Sequence, residues 1–353
     1  MPKEVVSNST YINQHPGAFP IEDPATILPG RRNLRISVTP RCNLRCPHCH
    51  NEGQPPPWTQ RENLDSYEMP VDMIGQLVMA AQDFGIKTVK LTGGDFGMYR
   101  HMEELFSKIA HDWQKDMAEV SWGANTNGIP LINPRKLAMI IESPLTKITF
   151  GIDSLVPGEK SKPDSPVGIE SGRLLSSVVI PLVDEWKGQD KKITIDTVYT
   201  GDEKRILSVI EEGLKLGVGI NVLEINGVMG TRYDTRQKFM EFISKVADIF
   251  GLDPRFYPFL NQIYLYNPDE TDQDKTKVKF FQDHCADLDC GNCRKIHMRV
   301  VPTGEHVCAV PCFLQGQGSY LPLDKDGAIN LELFKQAIPK LSAGPDRRED
   351  VHT

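Results

Sequence analysis

Between residues 34 and 225 the apolar positions follow two alternating periods. Short β-branched runs at 34–39, 88–91, 120–124, 147–152, 192–199 and 220–225 read as buried strands. The stretches 71–84, 102–113, 135–141, 173–186 and 203–216 space their apolar residues three and four apart, which predicts helices. Strands alternating with helices of this length pair in parallel through right-handed crossovers. Six such units fit an open doubly wound sheet or an incomplete barrel, and either gathers the loops after the strands on one rim. The loop from Cys42 to Cys49, the Gly93-Gly94 pair, the run Asn125-Thr126-Asn127-Gly128 and Asp153-Ser154 each follow a strand and are expected to meet there.

The rhythm changes after Gly230. A helix is expected at 237–250, an aromatic extended stretch at 256–267 and a charged, non-periodic stretch at 269–279. Residues 298–301 and 306–310 flank Thr303-Gly304, a hairpin signal. One short helix at 331–337 precedes a charged tail. The expected division is an N-terminal arm at 1–30, rich in Pro, Asn and Ser, a βα unit at 31–230, a second unit at 231–325 and a tail at 326–353.

Composition narrows the class. The 353 residues are 39% hydrophobic and 25% charged with a net charge of −7, which argues against nucleic acid as a partner. No apolar run approaches membrane-spanning length and the N-terminus lacks a basic-then-apolar leader, so a cytoplasmic location is expected. Structural disulfides are not expected there. The eight cysteines fall into two groups, Cys42, Cys46 and Cys49, then Cys285, Cys290, Cys293, Cys308 and Cys312. Thiols used only for packing would scatter, so two ligand clusters are expected.

The first group has the spacing C-x3-C-x2-C, and collecting three thiols in one short loop calls for a metal centre. Zinc is one reading, with His48 or His50 as a fourth ligand. A [4Fe–4S] cluster with one open iron is the other. The segment 34–53, LRISVTPRCNLRCPHCHNEG, resembles the radical S-adenosylmethionine (SAM) superfamily, and within it the molybdopterin-precursor cyclases (GTP 3′,8-cyclases). The loops after the strands add to the likeness. LTGGD at 91–95 resembles the family's TGGE loop, NTNG at 125–128 its TTNG loop, and FGIDSL at 150–155 its VSLDSL strand end. The resemblance implies a partial (βα)6 barrel of the TIM type with a C-terminal extension for an auxiliary iron–sulfur cluster. It also implies SAM bound at Gly93, Gly94, Asp95, Asn125, Asn127, Asp153 and His48, with its reductive cleavage giving a 5′-deoxyadenosyl radical. Three positions depart from the pattern. Asp95-Phe96 replaces Glu-Pro, Gly151 replaces a serine, and His48 stands at the aromatic position that packs near adenine in many members.

In the second group Cys290, Cys293 and Cys308 match, within one residue, the three cysteines that hold an auxiliary [4Fe–4S] cluster in the cyclases. Cys285 and Cys312 are extra: a fourth ligand, a buried inert thiol or a hydrogen donor to a substrate radical are the alternatives. A structural zinc knuckle is the competing reading of the group. The cyclases' C-terminal glycine pair has no counterpart here, and their R-x-R after the C-x2-C becomes Arg294 and Arg299, five residues apart. These departures point to hydrogen abstraction from another polar small molecule, a sugar, nucleoside or amino-acid derivative, ahead of the alternative, GTP 3′,8-cyclisation. A zinc-binding scaffold without catalysis is the third expectation. A flavodoxin- or ferredoxin-like electron donor accompanies either enzyme reading. Arg100, Lys192 and Arg232 lie near strand-end loops as further anion candidates, and Tyr264, Tyr266 and the 226–233 loop are expected at the barrel mouth.

Overall fold

A computed structural model describes residues 33–49, 64–224, 232–257, 262–269, 277–281, 297–310 and 320–343. Six parallel strands form its centre: β1 (Asn33–Thr39), β2 (Thr88–Gly93), β3 (Ser121–Thr126), β4 (Lys147–Gly151), β5 (Lys192–Tyr199) and β6 (Gly219–Glu224). They lie side by side in chain order, as consecutive βα crossovers require. The connecting helices are α1 (Val71–Gln82), α2 (Met102–Ser107), α3 (Pro134–Ile141), α4 (Ser171–Leu174), α5 (Ile180–Trp186) and α6 (Glu203–Leu216). Local chemistry sets several ends. The side chain of Asn133 caps α3 at Arg135 N, and that of Asp202 caps α6 at Arg205 N. Helix α6 stops at Gly217, whose φ of +70° suits glycine.

Alternation along each strand sorts the faces. On β1, Leu34, Ile36 and Val38 are fully buried in the main core with Ile74, Leu77 and Val78 of α1. Removing a side chain of that size from water contributes about 1.5–3 kcal/mol. Arg35, Ser37 and Thr39 therefore face the inside of the curved sheet. The chain forms a partial (βα)6 barrel.

Beyond the sixth strand, helix α7 (Arg232–Phe250) starts five residues earlier than its periodicity predicts. It packs Phe239, Phe242 and Val246 onto a second core with Ile220, Val222, Ile263 and Phe280. The aromatic stretch is a hairpin of β7 (Asp253–Tyr257) and β8 (Gln262–Tyr266). The charged stretch runs into a strand that the sequence reading does not include, β9 (Val278–Phe281), parallel to β6. Its Val278 and Phe280 are buried, a two-residue apolar signal too short to stand out among lysines. On the opposite edge β10 (His297–Pro302) pairs parallel with β1 and antiparallel with β11 (Val307–Val310), turning at Gly304 with φ +91°. A final helix, α8 (Leu331–Ala343), follows. Among the described residues no helix is long and apolar enough to cross a membrane.

Candidate SAM and cluster site

The cysteine loop leaves β1 at Thr39 and is pinned from both sides. The Thr39 hydroxyl donates to buried Glu68 at 3.0 Å, and Arg41 Nε donates to the same carboxylate at 2.9 Å while pairing with Asp65. On the other side Gly94 N donates to Thr39 O at 2.7 Å and Asp95 N to Arg41 O at 2.8 Å. This backbone approach explains the glycine pair. A Cβ on Gly93, at φ +129°, would lie 2.2 Å from Thr39 O, and one on Gly94 would lie 2.4 Å from Arg41 O.

Asp95 is buried and its carboxylate is fully engaged. Oδ1 accepts from Gly97 N at 2.8 Å and Thr126 Oγ1 at 2.7 Å, and Oδ2 from Asn127 N at 2.6 Å. The residue thus brackets the loops after β2 and β3 together. Burial pushes its carboxyl up to about 6, against those three donors. Asn127 carries the bracket to the cysteine loop, since its Nδ2 donates to Asn43 Oδ1 at 2.9 Å and lies 3.9 Å from Cys42 Sγ. Gly128 turns the chain away at φ +81°, where a Cβ would press Leu174 at 3.0 Å and Phe150 at 3.1 Å. Gly128→Ala is expected to lower stability by about 1–2 kcal/mol, measured as a lower urea midpoint at unchanged slope.

At the end of β4, Asp153 is buried beneath the cysteine loop. Its Oδ1 accepts from Lys162 Nζ at 2.8 Å and Val198 N at 3.0 Å, and its Oδ2 lies 3.7 Å from His48 Nε2. Burial pushes the His48 imidazole below its ordinary pKa, so the ring is neutral at pH 7.

The thiols are partly withdrawn from water. Burial pushes Cys42 up to about 12, with Asp95 and then the two neighbouring thiols adding to it. It pushes Cys46 up to about 11, with Asp153 and Cys49 adding and Lys162 opposing. Thiols raised in this way keep their protons at neutral pH, so a bound cation is what would hold Cys42 and Cys46 as thiolates, with release of those protons. Among the described residues no three His, Cys, Asp or Glu side chains converge on one ion-sized position. The fit of a cluster therefore rests on the donor set, three thiols on one loop pinned at both sides, with Leu44 N donating to Cys42 Sγ at 3.4 Å. For a second ligand there is an orphaned acceptor. Asn125 Oδ1 and, beside it in register on β4, Thr149 Oγ1 are buried on the inner face without hydrogen-bond partners.

Of the anticipated residues, the structure joins Gly93, Gly94, Asp95, Asn127, Asp153 and His48 around the cysteine loop, with Asn125 on the inner face of β3 beside Thr149. In the second group Cys308 is buried on the inner side of β11 with Val301 and Val310, its thiol pushed up to about 11 by burial. Cys285, Cys290, Cys293, Cys312, His50 and Arg294 lie outside the described residues, as do most of the 226–233 loop and the Arg232 side chain. Tyr264 and Tyr266 are buried on β8. Arg100 is exposed and paired with Asp65 at 2.7 Å, and Lys192 is exposed at the far end of β5. Sequence reasoning missed Glu68, Lys162 and the inner-face cations Arg35, Lys90 and Lys147. The period-2 alternation of β1, β2 and β4 carried the signal for the last three.

The model of the radical SAM superfamily matches residues 36–161. The GTP 3′,8-cyclase of Aliarcobacter butzleri is 37% identical over 242 residues, which cover 62% of this chain and 69% of that protein. The chain belongs to the radical SAM superfamily. Members use SAM and a [4Fe–4S] cluster, and these are the cofactors to which the site must answer. A probable GTP 3′,8-cyclase of Methanococcus maripaludis is 30% identical over 140 residues, and the chain spans 42% of its length. In fold, this radical SAM chain is similar to Streptococcus suis SuiB bound to S-adenosylmethionine, with a TM-score of 0.57 at 15% identity over 88% of this chain and 64% of that one.

Proposed function

We propose that the protein is an enzyme that cleaves SAM at a cluster held by Cys42, Cys46 and Cys49, and that its substrate is a nucleoside triphosphate, GTP first. When bound, cluster and SAM supply hydrogen-atom abstraction from an unactivated C–H bond, leaving methionine and 5′-deoxyadenosine. The chain's part is to hold three thiolates, to lock the loops after β1, β2 and β3 together through Asp95 and Asn127, and to offer Asn125 and Thr149 to a polar ligand. His48, neutral, would lie beside the bound cofactor.

One observation carries the choice of substrate. Arg299, Arg35 and Lys90 are register partners on β10, β1 and β2, and Lys147 follows in the same row across Gly123. Neighbouring strands lie about 4.8 Å apart, so the row sets several cations along the inner face, a span that the negative oxygens of a polyphosphate can bridge. Asp196, four residues beyond Lys192 on β5, is the acidic group nearest it in charge effect, and Asn221 Nδ2 binds it at 2.6 Å. Such a lining suits a polyanion and disfavours the neutral or cationic sugars of the dehydrogenation reading. The curated relatives named as cyclases support the same choice.

Metal analysis comes first. About eight iron per chain after anaerobic reconstitution supports the cluster together with a second one on Cys290, Cys293 and Cys308, with Cys285 or Cys312; zinc without iron defeats the enzyme reading. With SAM and a flavodoxin- or ferredoxin-like reductant, GTP should be consumed as 5′-deoxyadenosine appears. SAM cleavage that leaves GTP intact sinks the substrate assignment and returns the field to a neutral metabolite. The Arg35→Ala, Lys90→Ala double variant should bind GTP about tenfold or more weakly, measured by calorimetry. The division into units at 31–230 and 231–325 belongs to this proposal, with β7 to β11 as the part of the second unit that extends the barrel sheet.

A further inference from the structure

The chain between β4 and α4 folds back onto the cysteine loop. Asp153 N donates to Ser161 O at 2.7 Å and Ser161 N to Ile169 O at 2.9 Å, closing the segment on itself. Ser165 Oγ accepts from Arg45 N at 3.1 Å, inside the C-x3-C-x2-C run. Lys162 rides on this segment, 8% exposed, with its ammonium on Asp153 at 2.8 Å. Its ammonium passes beside Gly151, where a Cβ would lie 3.5 Å from both Nζ and Cε of Lys162, an ordinary contact distance.

We propose that Lys162 is a positioning residue of the reducing centre: its ammonium, buried against the cysteine loop and fixed on Asp153, raises the reduction potential of the cluster on Cys42, Cys46 and Cys49. This rests on the cluster assignment made above. Adding an electron to a centre already carrying three thiolates increases a buried negative charge, and a cation in the same low-dielectric pocket favours that step. The other charged or titratable groups facing this pocket are Asp153, His48 and Asp164, the last paired with Arg205 at 3.4 Å.

The test is a redox titration followed by electron paramagnetic resonance, on wild type, Lys162→Gln and Asp153→Asn, without SAM or substrate. At the potential where wild type is half reduced, Lys162→Gln should show an approximately tenfold lower ratio of reduced to oxidised cluster, about 59 mV for one electron. Asp153→Asn, which strips the counter-charge, should shift the potential the opposite way. Structural damage moves both variants in one direction, so opposite signs support the electrostatic role. Unchanged potentials, shifts of the same sign, or loss from both variants of iron that the wild type retains overturn it. A wild type that takes up no iron sinks the cluster assignment before any variant is compared.

Discussion

Alanine at Cys42 is expected to reduce 5′-deoxyadenosine formation to background while leaving the barrel folded. Cys42 is the most withdrawn thiol of its loop, with Leu44 N and Asn127 Nδ2 both turned to its sulfur. Its removal leaves two thiols, too few to retain a cubane cluster that already has one open iron. The fold should survive because the loop is held by other contacts: Arg41 and Thr39 on Glu68, and Gly94 and Asp95 on the β1 end. Chromatography of the SAM products together with circular dichroism decides it. Product at the wild-type rate would show that these thiols do not hold the catalytic cluster.

The second large effect is at Asp95. In Asp95→Ala the amides of Gly97 and Asn127 and the hydroxyl of Thr126 lose their acceptor in a buried site. An orphaned buried donor costs about 1–3 kcal/mol, so after relaxation a loss of about 3 kcal/mol is expected in urea unfolding of the cluster-free protein. A residue that served only to grip the SAM ammonium would leave that value unchanged. Asp95→Glu should also destabilise, because the longer side chain must fit a site closed on three donors. The pH dependence has a definite sign. The folded carboxyl sits at about 6 against a model value of 3.8, raised by burial, so its stabilising contribution is complete below 3.8 and is lost as pH rises through 6. The stability gap between wild type and Asp95→Ala should therefore widen on acidification through that window.

The barrel was legible because each βα unit states its own period, and all six central strands appear within two residues of where the pattern puts them. The cysteine loop and its companion loops were legible because they follow strands. What the pattern could not carry is partnership across the chain. Asp95 reads as a shortened ligand for SAM, yet its geometry makes it a bracket between Gly97, Thr126 and Asn127. Lys162 sits in a segment with no periodicity, and its pairing with Asp153 exists only in the folded chain. Glu68 lies just before α1 and owes its role to Arg41 and Thr39, which meet it only in the folded chain. Strand β9 was hidden because two buried residues among lysines do not form a recognisable run. The relatives named as GTP 3′,8-cyclases moved the substrate reading away from the departures after Cys293 and toward the cationic inner face.

The pairing of β1 with β10 has a consequence for how the molecule is made. Asn33 is the register partner of His297, so β1 lacks its neighbour on one edge until synthesis has passed residue 297. At 5–20 residues per second that interval lasts on the order of tens of seconds. Throughout it, a β-branched strand with an open hydrogen-bonding edge is available for pairing with another nascent chain. Overproduction at high temperature should send this protein into inclusion bodies, and slower synthesis in the cold should recover it soluble, because the closing strand sets the pace of assembly.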